Sequence, residues 1–88
     1  MKFDPKTVCG LLTNASMAGG SFIAMAWIDD HTFMLNDEST DNLTYDVQDN
    51  CIKVTYTISG EHVLTIKTKN DLDKFIDNMV HDTSTFYD

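Results

Sequence analysis

Arginine is absent from this 88-residue chain, and its six basic residues are all lysines. They stand against 14 acidic residues, which gives a formal net charge of -8 at pH 7. A field of this sign repels nucleic acid and anionic membranes and attracts basic proteins or cations. Direct binding to nucleic acid or membrane is therefore not expected. Because excess acid can also serve only to keep a domain soluble, the positions of the charges have to decide between the two roles.

Cysteines and long apolar runs are also scarce. The two cysteines, Cys9 and Cys51, lie far apart in the sequence and do not form a C-x-x-C motif. The acid and the proline in FDPKTV are not typical of a secretory signal peptide. The longest apolar run, FIAMAWI at 22–28, is too short to cross a bilayer. The sequence thus predicts a cytoplasmic protein with reduced thiols.

Motifs for catalysis and ligand binding are missing as well. The three histidines lack a second His or Cys at metal-ligand spacing, and no serine or cysteine lies in a nucleophile signature. Gly19 and Gly20 follow a predicted helix instead of preceding one, so they do not form a phosphate loop. A calcium-loop template that starts at Asp37 fails at most of its ligand positions. We therefore predict a non-enzymatic protein with no cofactor and no metal site.

The chain does contain enough apolar sequence for one folded domain over residues 1–88, since 42% of its residues are hydrophobic. Asp4 as N-cap, Pro5 at the first helical position and Gly19–Gly20 as the stop predict a helix from about Pro5 to Met17. A second helix is predicted over 70–82. Each helix has one apolar stripe: Val8, Leu11, Leu12 and Ala15 in the first, and Leu72, Phe75, Ile76, Met79 and Val80 in the second.

Between the helices the hydrophobic pattern changes to that of strands. Five strands are predicted, at 21–28, 32–36, 43–47, 51–58 and 61–68, with a tight hairpin at Ser59–Gly60. The alternation predicts these inward-facing residues: Leu43, Tyr45, Val47, Ile52, Val54, Tyr56, Ile58, Leu64 and Ile66. One apolar face on these strands and one stripe on each helix predict an α+β two-layer sandwich. Both helices are expected on one side of a five-stranded antiparallel meander.

The acidic residues are concentrated in a segment of the chain that contains no lysine. Between Thr7 and Ile52 the chain has no lysine, and this segment carries seven carboxylates: Asp29, Asp30, Asp37, Glu38, Asp41, Asp46 and Asp49. Charge that only solubilises a domain is normally mixed with lysine. In a meander, the turns at 29–30 and 49 fall at one end of the sheet and residues 37–41 at the other, about 20 Å away. This spacing does not suit a compact metal cage and predicts an extended negative face for a basic partner.

Two aromatic residues lie beside the acidic turn at 29–30. Trp27 precedes the turn, and Phe33 follows it in the next strand. Core packing is the first interpretation of Trp27, unless the helices cover the other face and leave it on an open sheet surface. An exposed aromatic side chain here would anchor a partner. Trp27 and Phe33 therefore join the seven carboxylates as candidate partner-binding residues.

In its size, arginine-free acidic composition and α+β pattern, the chain resembles the small acidic inhibitors that phages encode against nucleic-acid-handling host proteins. These include anti-restriction proteins, anti-CRISPR proteins and inhibitors of DNA repair enzymes, and some of them are DNA mimics that present carboxylates in place of phosphates. The resemblance implies a stoichiometric inhibitor in the host-cell cytoplasm. Its protein–protein interaction would occupy the basic nucleic-acid-binding surface of a host protein.

A second interpretation is a structural or assembly module, either monomeric or homodimeric. Its contact surface would be the exposed hydrophobic strand or Phe86–Tyr87 near the C-terminus, and the acid would only solubilise the protein. The two interpretations differ in salt dependence, because screening weakens charge-driven contacts far more than apolar ones.

Overall fold

The computed structural model describes residues 2–20, 22–37, 41–56 and 62–80, and for Asp37, Asp41, Tyr56, His62 and Met79 it describes the backbone alone. The elements are α1 (Pro5–Ala18), β1 (Phe22–Trp27), β2 (Thr32–Asp37), β3 (Asp41–Val47), β4 (Ile52–Tyr56), β5 (His62–Ile66) and α2 (Lys69–Val80). The predicted α+β class, with a helix before and a helix after a five-stranded antiparallel sheet, is confirmed. The predicted hairpin at Ser59–Gly60, the inward positions of the Tyr56 and Ile58 side chains and the contact by Phe86–Tyr87 lie outside what the structure describes.

Helix α1 begins and ends where its capping residues predict. The Oδ2 atom of Asp4 accepts hydrogen bonds from the backbone N–H of Thr7 at 3.0 Å and from its hydroxyl at 2.8 Å. These bonds stabilise the carboxylate and hold the pKa of Asp4 below its ordinary 3.8. At the other end the N–H of Gly19 donates to the carbonyl of Ala15, and Gly20, with a φ of 77°, turns the chain towards β1.

The buried face of α1 is rotated from the predicted stripe. Val8, Leu12 and Ala15 are buried as expected, but Leu11 is exposed. Cys9 and Ser16 are buried beside the stripe instead. Leu11 borders a groove between the start of α1 and α2. It therefore does not pack against the sheet, although it belongs to the apolar stripe. Burial raises the pKa of the free Cys9 thiol, which fits a cysteine that packs as a small apolar group.

The sheet is a simple meander with the order β1-β2-β3-β4-β5, in which each strand pairs with its neighbour in sequence. Cross-strand partners lie on the same face of a sheet. The register pairs Phe33 with Tyr45, Tyr45 with Val54, and Val54 with Leu64, and these residues therefore share one face. On that face the predicted inward residues are confirmed: Leu43, Tyr45, Val47, Ile52, Val54 and Ile66 are buried, and Leu64 is packed against them.

Both helices cover this same face. Leu12 from α1 and Leu72 and Phe75 from α2 belong to one core cluster with the inward strand residues. An unbroken series of ring contacts crosses the core, from Trp27 to Phe33 with centroids 5.3 Å apart, then to Tyr45 at 5.0 Å and to Phe75 at 6.1 Å. The opposite face has no helix over it in the described part of the chain. Two of its cross-strand rows are Thr32–Asp46–Lys53–Thr65 and Met34–Thr44–Thr55–Val63.

Candidate functional site

The meander places the acidic residues at two ends of the sheet, as predicted. The β1–β2 turn and the β3–β4 turn share one end, which we call the proximal end, with Asp29, Asp30, Asp46 and Asp49. The β2–β3 connection lies at the other end, which we call the distal end and define by Asp37 and Asp41. Strand β2 has 6 residues, so the two ends are separated by about 20 Å. Glu38 stands between Asp37 and Asp41 in sequence and lies outside the described residues.

Each turn of the proximal end is tied to a neighbouring segment by a backbone hydrogen bond. The N–H of Val47 donates to the carbonyl of His31 at 2.8 Å, which links the end of β3 to the β1–β2 turn. The N–H of Phe3 donates to the carbonyl of Asp49 at 3.0 Å, which ties the segment before α1 to the β3–β4 turn. Backbone hydrogen bonds therefore fix the turns that carry the carboxylates of the proximal end.

His31 is the centre of a charge cluster at the proximal end. Its Nδ1 atom lies 2.9 Å from Oδ1 of Asp46 and 3.6 Å from Oδ1 of Asp29. The hydrogen bond with Asp46 is the main reason why the pKa of His31 is raised above its ordinary 6.5. The backbone N–H of His31 donates to Asp29, and this bond lowers the pKa of that carboxyl. A protonated His31 offsets part of the negative charge around it.

Both carboxylate oxygens of Asp46 take part in hydrogen bonds. The Thr32 hydroxyl lies 3.4 Å from Oδ1, and the Gln48 amide donates to Oδ2 at 3.2 Å. Lys53 is its direct cross-strand partner in β4. Asp46 therefore acts mainly as an internal acceptor, and the sequence interpretation, in which it is one of seven equivalent phosphate surrogates, missed this role. The partner of His31 is fifteen positions away in sequence, so only the β2–β3 register shows the pair.

Lysines from outside the acidic segment border the proximal end. The Nζ atom of Lys2 lies 4.0 Å from Oδ1 of Asp49, with both side chains exposed. Lys6 lines a shallow depression of about 240 Å³ together with Trp27, Asp29 and Asp30. The expected one-signed field over the whole acidic segment is thus wrong at this end, because the fold returns the first residues of the chain to it.

The lysines are unevenly distributed along the strand direction, between the proximal and the distal end of the sheet. Of the six in the chain, Lys67 and Lys69 follow β5 at the end where Ile66 pairs with Ile52, and that end is proximal. Five therefore lie at the proximal end or next to it: Lys2, Lys6, Lys53, Lys67 and Lys69. Lys74 lies in the middle of α2. The described residues thus place no lysine at the distal end, where Asp37 and Asp41 are.

At the distal end, two acidic residues face each other in the β2–β3 ladder. Asp37 and Asp41 are direct cross-strand partners and form the last pair before the connection. Like charges in directly opposite positions destabilise a sheet, by about 0.2–1 kcal/mol. Such a pair is a local arrangement that folding alone disfavours. Departures of this kind from local rules are expected at functional sites.

The two candidate aromatic residues have different environments. Phe33 is fully buried, with 0% exposure, and stacks on Tyr45. We therefore correct its assignment as a partner-binding residue, since a side chain inside the core cannot reach a partner. Trp27 pairs with Phe33 across β1 and β2 and so lies on the helix-covered face, yet 42% of it is exposed because β1 is the edge of the sheet. Trp27 stays a candidate contact residue.

Three residues of types that can bind metal ions lie close together at the proximal end. They are Asp29, Asp30 and His31, and each offers one ligand atom that lies within 4.8 Å of the other two. All three residues are exposed, and the Nδ1 atom of His31 is already bonded to Asp46. Strong cation sites supply six or more converging oxygen ligands, so this group suits at most a weakly held cation. The absence of a metal site stays a prediction.

The chain matches no protein-family model, no curated protein and no solved structure. Within the described residues, neither helix is long and apolar enough to cross a membrane.

Replacing Asp41 by asparagine is expected to stabilise the fold, by about 0.2–1 kcal/mol, because it removes the repulsion with Asp37 and keeps the size of the side chain. Urea denaturation of both proteins would measure the difference. Asp49→Asn is the matched control: it makes the same charge change at the proximal end, where Lys2 lies close, and no stabilisation is expected. An equal gain in both variants would show that net charge, and not the facing pair, is responsible.

His31 is expected to make the fold less stable as the pH rises above neutrality. Its pKa is raised in the folded state, so its contribution is fully present below the ordinary value of 6.5 and is lost as the pH rises through the folded pKa. Histidine ring signals in NMR titrations should show His31 titrating above 6.5, and Asp46→Asn should lower that pKa. In His31→Gln, the loss of stability over this pH range should be reduced. An unchanged His31 titration in Asp46→Asn would contradict the assigned pair.

Proposed function

We propose that the protein is a non-enzymatic acidic inhibitor that binds the basic nucleic-acid-binding surface of a host defence or DNA- or RNA-handling protein. The observation that supports this most directly is the segregation of charge. The distal end carries the facing pair Asp37 and Asp41, with Glu38 between them in sequence, and lysines gather at the opposite end. The resemblance to phage-encoded anti-restriction, anti-CRISPR and DNA-mimic proteins supplies the class of partner.

The distal end is better suited to this role than the proximal end. A carboxylate can replace a phosphate of the nucleic acid only if it is free to meet lysine or arginine of the partner. At the proximal end Asp46 is already bonded to His31, and Asp49 lies near Lys2. Asp37 and Asp41 occupy directly opposite positions in the ladder, and a basic group of the partner bound at this end would offset an unfavourable pairing of like charges. Asp37, Glu38 and Asp41 are therefore the proposed phosphate surrogates.

The charge distribution also favours one orientation of approach. A basic surface is attracted to the distal end and meets repulsion from the lysines at the proximal end. Electrostatic complementarity of this kind raises the association rate and fixes the docking direction more than it raises affinity. Binding should thus be fast at low salt and should weaken steeply as salt is added.

The test is a pull-down with the tagged full chain from a nuclease-treated bacterial lysate, eluted in steps from about 0.1 M to 1 M salt, since screening separates charged from apolar contacts. We expect a basic nucleic-acid-binding protein in the salt steps. Its binding to labelled nucleic acid should then be inhibited by the chain at a ratio of one to one. A recovered protein that resists 1 M salt, or one that still binds nucleic acid when saturated with the chain, would refute the proposal.

A further inference from the structure

Strand β1 is an open edge of the sheet. It pairs with β2 on one side, and the described residues provide no strand or backbone hydrogen bond on its other side. An edge of this kind exposes a row of N–H and C=O groups, and the group that complements them is another extended strand. The irregularity between Phe22 and Ala24 disturbs only the first residues of β1, so Ala24–Trp27 stays regularly paired.

The β1 edge has one protective feature, the irregularity between Phe22 and Ala24. Charged side chains and proline normally blunt such edges, but the segment from Phe22 to Ile28 contains neither. Its exposed side chains are apolar: Ile23 is 56% exposed, Trp27 is 42% exposed, and Ile28 in the following turn is exposed as well. Charged residues follow both edge strands within three positions: Asp29 and Asp30 after β1, and Lys67 and Lys69 after β5. The two edges therefore differ in the sign of the charge that follows them.

We propose that β1 pairs with β1 of a second copy of this chain. An antiparallel pair related by a two-fold axis would join the two meanders into one continuous sheet of about ten strands, and each copy would use the same patch. The exposed Ile23 and Trp27 of each copy lie along this edge and lose water contact when it is covered. This contact uses the β1 edge, and it would also bring the distal end of each copy, which the proposed function uses, close to the proximal end of the other copy.

The charges permit this arrangement and favour the antiparallel one. The acidic turn after β1, with Asp29 and Asp30, would continue past the start of the partner strand, so the two acidic turns lie about 20 Å apart. That distance exceeds twice the Debye length at physiological salt, so their repulsion is largely screened. The proximal end of each copy, where Lys6 lies in one depression with Trp27, Asp29 and Asp30, would meet the end of the other copy at which Phe22 pairs with Asp37. Lys6 is the basic residue of that depression and would lie closest to Asp37. In a parallel pair, like ends would meet instead.

Sedimentation velocity over about 1 to 200 µM protein would test the proposal, because an association of this kind depends on concentration. A concentration-dependent dimer is expected for the wild-type chain. Ile23→Lys places a charge on the β1 edge and should weaken the dimer at least tenfold. Val63→Lys is the matched control, since Val63 is 61% exposed on the opposite edge strand, and its dimer should be unchanged. Circular dichroism would establish that both variants are folded.

Hydrogen exchange locates the contact. Amides of β1 should become more protected as the protein concentration rises, whereas those of β5 should not. A wild-type chain that is monomeric at every concentration would overturn the proposal, as would a dimer that Ile23→Lys and Val63→Lys weaken equally. If the dimer persists when Asp37, Glu38 and Asp41 are neutralised while partner binding is lost, the two proposals are separated.

Discussion

Neutralising Asp37, Glu38 and Asp41 together, as Asp37→Asn, Glu38→Gln and Asp41→Asn, is expected to weaken partner binding by at least about 100-fold. Each charge contact with a basic surface contributes on the order of 1–2 kcal/mol when partly desolvated, and 1.4 kcal/mol is a factor of ten. The fold should be kept or slightly stabilised, since the Asp37–Asp41 repulsion is removed. Surface plasmon resonance against the partner recovered in the pull-down would measure the affinity.

The control is the same charge change at the other end of the sheet. Asp29→Asn, Asp30→Asn and Asp49→Asn remove three charges near Lys2 and Lys6, and asparagine keeps an acceptor for the backbone N–H of His31. This variant should lose less than about tenfold in affinity, because only long-range attraction is reduced. Similar losses in both triple variants would mean that net charge, and not the distal end, controls binding. A distal variant with unchanged affinity would disprove the assignment of the phosphate surrogates.

Truncating Phe33 to alanine should have the largest effect on stability, a loss of about 3–5 kcal/mol. Phe33 is fully buried between Trp27 and Tyr45, so its removal leaves a cavity in the middle of the ring series. A chain of this size has a total stability of about 5–10 kcal/mol, so the variant should be close to unfolding at 37 °C. Urea denaturation can be followed by the fluorescence of Trp27, the single tryptophan of the chain.

Phe33→Leu separates the structural role of this residue from a binding role. Leucine fills most of the space and should cost clearly less than alanine, and the folded variant should bind the partner with unchanged affinity. If Phe33→Leu were fully stable and yet bound the partner weakly, Phe33 would have a binding role that its burial in the core does not explain. A loss below about 1 kcal/mol for Phe33→Ala would contradict its central position in the core.

The fold could be predicted because its signals are local. Asp4, Pro5 and Gly19–Gly20 mark both ends of α1 through backbone capping, and the alternation around Tyr45 and Val54 identifies the inward face of the sheet. The details of packing depend on contacts between elements. Leu11 is in the apolar stripe of α1 but faces the groove at α2, while Ser16 is buried, because the tilt of a helix on a sheet is not encoded in helical spacing.

The candidate site was less predictable, since its electrostatics depend on which distant residues the fold brings together. Position in a meander correctly assigned the acidic turns to two ends. The sequence did not show that Lys2 and Lys6 return to Asp49 and Asp29, because that requires the position of α1 against the sheet. The bond between His31 and Asp46 requires the β2–β3 register. In one dimension the acidic residues look equivalent, and only in three dimensions do the proximal and distal ends differ.

The meander also has a consequence for how the chain folds. Every strand pairs with its neighbour in sequence, so the sheet closes only short loops, and the entropy lost at each closure is small. Proteins dominated by such local contacts fold faster than sheets with distant strand partners. The contact between α1 and α2 joins opposite ends of the sequence and needs nearly the whole chain. The sheet can therefore assemble early, and the docking of α2, which brings Leu72 and Phe75 into the core, completes the native state.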